Sequence, residues 1–225
     1  MTGIIRTESV WKIYGQGSPR EVNAVKDVSI DIVKGEVTAL GGPSGSGKTT
    51  ILSLLGLLTK PTKGSVYLEE RELSSLSEVY RTKVRRERIG FIFQAQYLIP
   101  QLTSVENVAL PKLCTDMSRD DAENLAREKL TALGMENRLD FRVAELSGGE
   151  QQRVSIARSL MNSPDILIAD EPSSSIDEAL TKDLLATLRG MAEEKGLTVI
   201  VASHDPMVLS WSDRIYQMQD GSLVE

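Results

Sequence analysis

The chain contains 225 residues, 40% hydrophobic and 26% charged, a composition that favours a folded globular protein over a disordered one. Its net charge of −6 argues against nucleic acid as the main partner, because phosphate contacts need a basic surface. The single cysteine excludes an internal disulfide and a thiolate metal cluster. The chain has neither the apolar core of a secretory signal nor about 18 consecutive apolar residues for a membrane span, so we expect it to be soluble and cytoplasmic when taken alone.

The first half of the chain predicts strands with two intervening helices. Alternating or continuous apolar residues indicate strands at 4–14, 24–33, 36–40, 65–70 and 89–93. The helix predicted at 49–58 is apolar nearly all round and should be buried. The helix predicted at about 77–88 carries the basic run YRTKVRRER, which is more typical of a solvated helix face than of a nucleic-acid site.

A different pattern, from about 95 to 145, predicts a mostly helical insertion. Ser118 and Asp121 form the capping pattern of a surface helix that ends at Gly134. Beyond the insertion, strands and helices alternate, with a helix after 149, a strand at 165–170, a helix at about 177–194 and a strand at 198–203. The terminal segment predicts a hairpin that turns at Asp220–Gly221, with no accessory C-terminal domain.

Continuous apolar strands that alternate with helices indicate a parallel sheet covered on both faces. We therefore predict a single α/β domain over 1–225. Its core comprises about 1–94 and 146–225, with an antiparallel β part near the N-terminus, and a helical subdomain occupies about 95–145.

The segment GPSGSGKT, residues 42–49, matches the phosphate-binding pattern G-x-x-x-x-G-K-[ST] between a predicted strand and a predicted helix. Its backbone N–H groups and the helix N-terminus would face the phosphates of a nucleotide, with Lys48 on the outer phosphates and the Thr49 hydroxyl on Mg²⁺. A flexible glycine-rich turn is the alternative, but the strand–loop–helix context favours a nucleotide. The predicted nucleotide-binding residues here are Gly42, Pro43, Ser44, Gly45, Ser46, Gly47, Lys48, Thr49 and Thr50.

Two adjacent acids, Asp170 and Glu171, end the apolar strand of DILIADEP. Acids often terminate strands, and taken alone this segment favours that structural interpretation. Next to a phosphate-binding loop the interpretation changes, because ligands gather at the carboxyl ends of parallel strands and the Mg²⁺ of a nucleotide needs a carboxylate there. We expect Asp170 to hold the metal and Glu171 to accept a proton from an attacking water.

Two polar residues follow other predicted strands at the same edge of the sheet. His204, the only histidine, comes after TVIVAS and could hydrogen-bond a terminal phosphate, although a lone histidine is more often structural. Gln94 comes after IGFIF, and its amide could reach Mg²⁺ or the attacking water. The predicted catalytic set is therefore Lys48, Gln94, Glu171 and His204.

The stretch LSGGEQQR, residues 146–153, is a second glycine-rich helix start. Ser147 and Glu150 match the capping box Ser/Thr-x-x-Glu, which offers a purely structural interpretation. That interpretation leaves Gly148 and Gly149 unexplained, because each glycine in a helical turn costs up to about 1 kcal/mol relative to alanine. The glycines indicate a backbone that approaches a ligand closely. The stretch therefore predicts a phosphate-binding helix start that serves the same nucleotide, a second nucleotide or one held by another copy of the chain.

The motifs GPSGSGKT, Gln94, LSGGEQQR, ILIADE and His204, in this order, resemble those of the nucleotide-binding subunit of an ABC (ATP-binding-cassette) transporter. The resemblance covers essentially the whole chain. It implies a P-loop NTPase core of the RecA-like type, ATP and Mg²⁺ as ligands, and a head-to-tail homodimer. In such a dimer residues 147–150 of one copy bind the ATP on the phosphate loop of the other, so the resemblance selects the last of the three alternatives.

The resemblance also implies roles outside these motifs. It implies that Tyr14 stacks on adenine, although the sequence is equally consistent with an ordinary strand aromatic. It also implies that Asp177 links the two sites of the dimer. It implies that Ala95–Pro111 contacts a membrane permease, which would hold the chain at the cytoplasmic face of the membrane. The segment FIFQ…LIPQLTSVENVALP is similar to the branch of lipoprotein release, macrolide export and cell division. That branch usually has threonine–glycine and leucine–aspartate here, whereas this chain reads SSSID over 173–177.

The predicted function is that of an ATPase that drives a separate membrane transport partner. A soluble ABC ATPase of translation or DNA repair is one alternative, but the translation type usually carries two cassettes and the repair type long heptads, and this sequence has neither. A nucleotide-binding switch without turnover is another, which the presence of Gln94, Glu171 and His204 disfavours.

Overall fold

The computed structural model describes residues 3–174 and 176–224, which form ten strands and seven α-helices. The strands are β1 (Ile5–Tyr14), β2 (Val22–Ile32), β3 (Val37–Gly41), β4 (Lys63–Leu68), β5 (Arg71–Glu72), β6 (Ile89–Ile92), β7 (Ile166–Asp170), β8 (Thr198–Ala202), β9 (Arg214–Gln219) and β10 (Ser222–Val224). The helices are α1 (Lys48–Leu55), α2 (Glu78–Arg88), α3 (Ser104–Ala109), α4 (Arg119–Thr131), α5 (Gly148–Ser159), α6 (Glu178–Lys195) and α7 (Pro206–Trp211). Short 3₁₀ helices lie at Leu110–Lys112 and Val143–Glu145.

Two sheets organise these elements. Six strands form the larger sheet in the order β10-β9-β3-β8-β7-β6, in which neighbours are parallel except in the β9–β10 hairpin. Four strands form an antiparallel sheet in the order β2-β1-β4-β5. The predicted α/β class, with a parallel core and an antiparallel part, is confirmed.

The parallel strands are continuously apolar because both faces of their sheet are covered. All residues of β3 and β8 are buried. One face packs against α3 to α6, and the other packs against α1 and the strands of the antiparallel sheet. This burial specifies the register, in which Leu40 and Asp170 both lie level with Ala202. The carboxyl ends of the central strands therefore meet at one edge, where the polar residues predicted from the sequence follow.

The basic run of α2 is not a solvated face along its whole length. Arg81 is only 3% exposed, and the guanidinium groups of Arg81 and Arg85 each donate a 2.6 Å hydrogen bond to the Leu57 carbonyl. Leu57 follows α1 with a φ of 58°, so the two arginines satisfy a carbonyl group that the end of a helix leaves free. The predicted solvated face is therefore wrong for Arg81, and α1 ends at Leu55 rather than at 58.

The segment 95–145, for which the sequence predicts a helical insertion, contains α3, α4 and both 3₁₀ helices. The cap of α4 forms as predicted, since the Asp121 N–H donates to Ser118 Oγ at 3.1 Å. The six residues of α3 are too few for a periodic pattern to reveal from the sequence. The division of the chain into subdomains stays a prediction. Among the described residues, no helix is both long and apolar enough to cross a membrane.

Candidate active site

The phosphate-binding loop joins β3 to α1 at the carboxyl edge of the parallel sheet. Gly42 and Gly47 have φ angles of 135° and 106°, a region that L side chains rarely adopt. A Cβ on Gly42 would lie 2.2 Å from the Met218 carbonyl oxygen, and one on Gly47 would lie 2.6 Å from that of Ala24. Gly47 is also the N-cap of α1. Free N–H groups of the first helical turn therefore open onto the loop, as an anion site requires.

Lys48, the first residue of α1, places its ammonium group inside this loop. The residue is only 7% exposed, and its Nζ donates to the carbonyl oxygens of Gly42 at 2.7 Å and Pro43 at 3.1 Å. Oε1 of Glu171 lies 3.8 Å from the same Nζ. Backbone dipoles and one carboxylate thus hold the cation where it can attract phosphate oxygens.

The metal-binding candidates Thr49 and Asp170 are in direct contact. The Thr49 hydroxyl donates a 3.2 Å hydrogen bond to Asp170 Oδ1, which joins α1 to the end of β7. Burial raises the pKa of Asp170 above its ordinary value; the charge of Glu171 also raises it, whereas Thr49 and Lys48 oppose the shift. A carboxylate held in this way gains stability from a cation, so the pair suits a divalent metal.

Replacing Asp170 with asparagine is expected to stabilise the nucleotide-free protein. Because the folded-state pKa of Asp170 is raised, ionisation destabilises the fold above that pKa, and the effect fades in acid as the group becomes protonated in both states. The thermal midpoint of Asp170→Asn should exceed that of the wild type by a few degrees at about pH 7, with the difference shrinking toward about pH 4. Calorimetry without nucleotide checks this, and an equal or lower midpoint at neutral pH would contradict the raised pKa.

Glu171 is the carboxylate at the centre of the site. Its φ of 46° is uncommon for a glutamate and marks a constrained backbone. Oε1 lies 3.0 Å from His204 Nδ1, and Oε2 accepts a 3.4 Å hydrogen bond from Ser203 Oγ. The His204 side chain itself stays 70% exposed. Lys48 and His204 therefore hold Glu171 from two sides, while the contact of His204 with a phosphate stays a prediction.

A cavity of about 500 Å³ opens at this edge and is lined by five of the six predicted catalytic and metal-binding side chains. Lys48, Thr49, Gln94, Glu171 and His204 all line it. The other lining residues of the loop and α1 are Ser44, Gly45, Gly47 and Thr50. The predicted Gly42, Pro43, Ser46 and Asp170 are outside this lining, and Asp170 is connected to it through the Thr49 hydroxyl. Gly42 and Pro43 instead present their carbonyl oxygens to Lys48.

The rest of the wall comes from residues that the sequence analysis missed. They belong to β2 and to the β9–β10 turn, and they are Val22, Asn23, Ala24, Lys26, Asp220 and Gly221. The Lys26 N–H donates to the Gly221 carbonyl at 2.7 Å, and the Gly221 N–H donates to the Ser46 carbonyl at 3.0 Å. These bonds join distant segments through backbone atoms, so no side-chain pattern signals them.

Tyr14 does not line the cavity. It ends β1, is 44% exposed, and its ring centroid lies 5.1 Å from Lys12 Nζ. Its strand partner Val22 does line the cavity, so the tyrosine lies one residue pair away from the wall. Stacking on a purine base stays a prediction.

The second glycine motif is separate from this cavity. Within residues 3–174 and 176–224, none of residues 146–153 contributes to the cavity lining. Ser147 is the N-cap of α5 and forms the predicted box, with its N–H donating to Glu150 Oε2 at 2.8 Å. Gly149 lies against α6, where a Cβ would be 2.7 Å from Leu180 Cδ1. Ser147 and Gly148 are exposed, so the chain presents a second helix start on its surface.

Asp177 has a local structural role beside this motif. It is the N-cap of α6, and its Oδ1 accepts a 2.9 Å hydrogen bond from the Leu180 N–H. Ser175, which belongs to the unusual SSSID stretch, lies outside the described residues. The role of Asp177 between two copies stays a prediction.

The chain is similar in sequence to ATP-binding subunits of transporters. The ABC transporter family model matches residues 25–174. An uncharacterized ABC transporter ATP-binding protein of Methanocaldococcus jannaschii is 40% identical over 222 residues, 99% of this chain and 98% of that protein. The lipoprotein-releasing system ATP-binding protein LolD 2 of Caulobacter vibrioides is 41% identical over 203 residues, 90% of this chain and 89% of that protein. The macrolide export ATP-binding/permease protein MacB of Salmonella choleraesuis is 39% identical over 224 residues, 100% of this chain but only 34% of MacB.

Solved ATP-binding cassettes share the fold. A dimeric cassette in a post-hydrolysis state with ADP and Pi has a TM-score of 0.90 and 38% identity, covering 98% of this chain and 97% of that one. CbiO1 of Clostridium perfringens, part of an ABC transporter complex, has a TM-score of 0.89 and 27% identity, and the match covers 100% of this chain and 88% of that one. The motifs, the cavity and these similarities agree: the chain belongs to the ABC transporter family and is an ATPase of the ATP-binding-cassette type.

Proposed function

We propose that this chain is the energy-supplying subunit of a membrane transporter and that two copies complete each ATP-hydrolysing site. The observation that carries the proposal is the separation of two phosphate-binding features within one chain. The loop at 42–49 faces the cavity with Lys48 and Glu171, whereas the helix start at 147–150 is outside its lining. One similar cassette is dimeric and holds ADP and Pi, which supports a site shared between copies.

ATP is the substrate of the cavity. The N–H groups of the loop and of the first turn of α1 bind the phosphates, and Lys48 contacts their outer oxygens. Thr49, Gln94 and Asp170 offer hydroxyl, amide and carboxylate oxygens, the donor set that Mg²⁺ prefers. The 3.2 Å contact between Thr49 and Asp170 already places two of these donors together. Bound Mg²⁺ would neutralise charge on the phosphates.

Hydrolysis requires a base that removes a proton from the attacking water. Glu171 lines the cavity and has a carboxylate fixed by His204 and Ser203. The water oxygen bonds to the γ-phosphorus, its proton passes to Glu171, and the bond between the γ-phosphorus and the ADP oxygen breaks. Lys48 stabilises the charge on the phosphate oxygens during this step.

The start of α5 supplies the missing wall from a second copy. Its exposed N–H groups bind the γ-phosphate on the partner's loop, since a helix start attracts an anion without needing a lysine. Asp177 lies near the same surface, because its carboxylate accepts a hydrogen bond from the N–H of Leu180, and the Leu180 side chain lies against Gly149. Hydrolysis removes the γ-phosphate and opens the dimer, and this movement drives the transporter.

An apolar groove beside the segment Ala95–Pro111 suits the membrane partner. It has a volume of about 400 Å³, and its lining includes Phe91, Phe93, Tyr97 and Pro111. Tyr97 is 70% exposed, and its ring packs edge-on against Phe93 at a centroid distance of 5.5 Å. Exposed aromatic residues in a groove are typical of protein interfaces. Gln94 of the ATP cavity immediately precedes this segment, so the groove and the cavity are joined by a short stretch of backbone.

The relatives point to the kind of partner. LolD is named for lipoprotein release and MacB for macrolide export, so we propose a permease of this export-type branch. Binding to it would hold the chain at the cytoplasmic face of the membrane. The permease would determine the transported substrate.

Replacing Tyr97 with aspartate is expected to detach the chain from membranes without reducing ATP hydrolysis in solution. The substitution removes the exposed ring and places a carboxylate beside Phe93; although Arg158 also lines the groove, the loss of the apolar contact should weaken docking by at least about tenfold. The measurement is the fraction of tagged chain that sediments with membranes of the organism that encodes it. Ile215→Ser, which alters an exposed apolar residue of β9, is the matched control. Equal sedimentation of Tyr97→Asp and wild type would show that the partner docks elsewhere.

A further inference from the structure

The start of α5 carries an anion where the proposed dimer places a phosphate. The Oε2 atom of Glu150 accepts hydrogen bonds from the Ser147 N–H at 2.8 Å and from Ser147 Oγ at 2.9 Å. The N–H of Ser147, with the Ser147 hydroxyl and Arg138, lowers the pKa of Glu150 below its ordinary value. Glu150 is therefore ionised at neutral pH. Without a compensating positive charge, the Glu150 carboxylate would repel a phosphate and would compete with it for the N–H groups at the start of α5.

Arg138 supplies the compensating charge. Its Nε donates a 2.7 Å hydrogen bond to Glu150 Oε1, the oxygen that does not contact Ser147. The guanidinium lies 4.8 Å from the centroid of the Phe141 ring, and its Nη1 donates to the Asn137 carbonyl at 3.2 Å. Arg138 is thus fixed from the loop that precedes α5.

Another cation of this region is already paired. Arg153, on α5, forms an ion pair with Asp183 of α6 and donates to the Leu133 carbonyl at 2.7 Å. Arg138 is therefore the residue whose loss would leave Glu150 with its full charge.

We infer that Arg138 is a positioning residue of the shared ATP site, which neutralises the charge of Glu150 where that carboxylate caps α5 beside Ser147. The first N–H groups of α5 can then bind the γ-phosphate of ATP on a second copy without an uncompensated negative charge beside them. The inference rests on the proposed two-copy site and adds to it the reason that a glutamate is tolerated at position 150.

The test is a double-mutant cycle on ATP-driven dimerisation. Sedimentation with Mg-ATP is measured in a Glu171→Gln parent, which slows hydrolysis and preserves the ATP-bound state. Arg138→Ala is expected to weaken dimerisation by at least about tenfold, because two uncompensated carboxylates then face two phosphates. Arg138→Ala combined with Glu150→Gln should return to within about threefold of the parent, since the charge that required compensation is gone.

Two further measurements separate this role from a structural one. The defect of Arg138→Ala should shrink at about 0.5 M salt, where screening acts within about 5 Å, whereas a folding defect would not. Arg127→Ala removes an ion pair of the same 2.7 Å length, to Asp140, and should leave dimerisation unchanged. ATP binding by the separated monomers should match the parent in all variants.

The outcomes distinguish the two levels of the proposal. If the parent itself stays monomeric with Mg-ATP, the shared site and the role of Arg138 are both wrong. If the parent dimerises but Arg138→Ala has no effect, or the double variant is as weak as Arg138→Ala, only the role of Arg138 is wrong.

Discussion

Glu171→Gln is expected to reduce ATP turnover by about 10²- to 10⁴-fold, the usual contribution of a general base. Glutamine has nearly the same shape and can keep hydrogen bonds to His204 and Ser203, the present partners of the carboxylate. It cannot accept the proton of the attacking water. The loss should therefore appear in kcat, with little change in the affinity for ATP.

The same variant should accumulate as a dimer in Mg-ATP, because hydrolysis no longer opens it. Steady-state ATPase assays and sedimentation provide the two measurements. Glu178→Gln is the matched control, since Glu178 is an exposed glutamate of α6 that is paired with Lys182. Turnover near the wild-type rate in Glu171→Gln would show that another group accepts the proton.

Gly149→Asp is expected to abolish ATP-driven dimerisation while leaving the monomer folded. An aspartate in the first turn of α5 interacts favourably with the helix dipole, which should stabilise the helix by about 0.3–1 kcal/mol. The Cβ of the new side chain meets only the flexible side chain of Leu180, whose Cδ1 atom would lie 2.7 Å away and would have to shift. Its negative charge, however, would lie in the first turn of α5, beside the partner's γ-phosphate in the proposed dimer. Like charges at an interface should weaken dimerisation by at least about 100-fold.

The measurement is again sedimentation with Mg-ATP in the Glu171→Gln background, with ATP binding by the monomer as the readout for the intact cavity. Gly190→Asp is the control, because Gly190 is also helical and a Cβ there meets nothing within 4 Å. If Gly149→Asp dimerises like its parent, the start of α5 does not bind a phosphate across the interface.

The features that follow from local sequence were predictable. A phosphate-binding loop needs glycine where its backbone has a positive φ and is crowded by neighbouring atoms. The glycines of GPSGSGKT can be read directly from the sequence. Apolar strands buried on both faces must end together, so Gln94, Glu171 and His204 could be placed at one edge before any contact was known. The structure brings all three to one cavity.

The remaining features depend on contacts between distant segments. The wall at Lys26 and Gly221 forms through backbone hydrogen bonds, which no side-chain pattern encodes. Arg81 reads as part of a charged surface helix, yet it is buried because the carbonyl of Leu57 needs a donor. The pairing of Arg138 with Glu150 depends on how the loop before α5 folds back onto that helix. No periodicity or spacing encodes such contacts.

The departure at 173–177 has a limited physical consequence in the described residues. Asp177 still caps α6, and this cap supports Leu180 against Gly149. Asp177 therefore lies on the element that packs against the start of α5.

The most direct test of the account is the ATPase rate per chain as a function of protein concentration, measured with sedimentation under the same conditions. If two copies build each hydrolytic site, the rate per chain should rise with the fraction of dimer and approach zero in the monomer range. A constant rate per chain, down to concentrations at which only monomers sediment, would contradict the account.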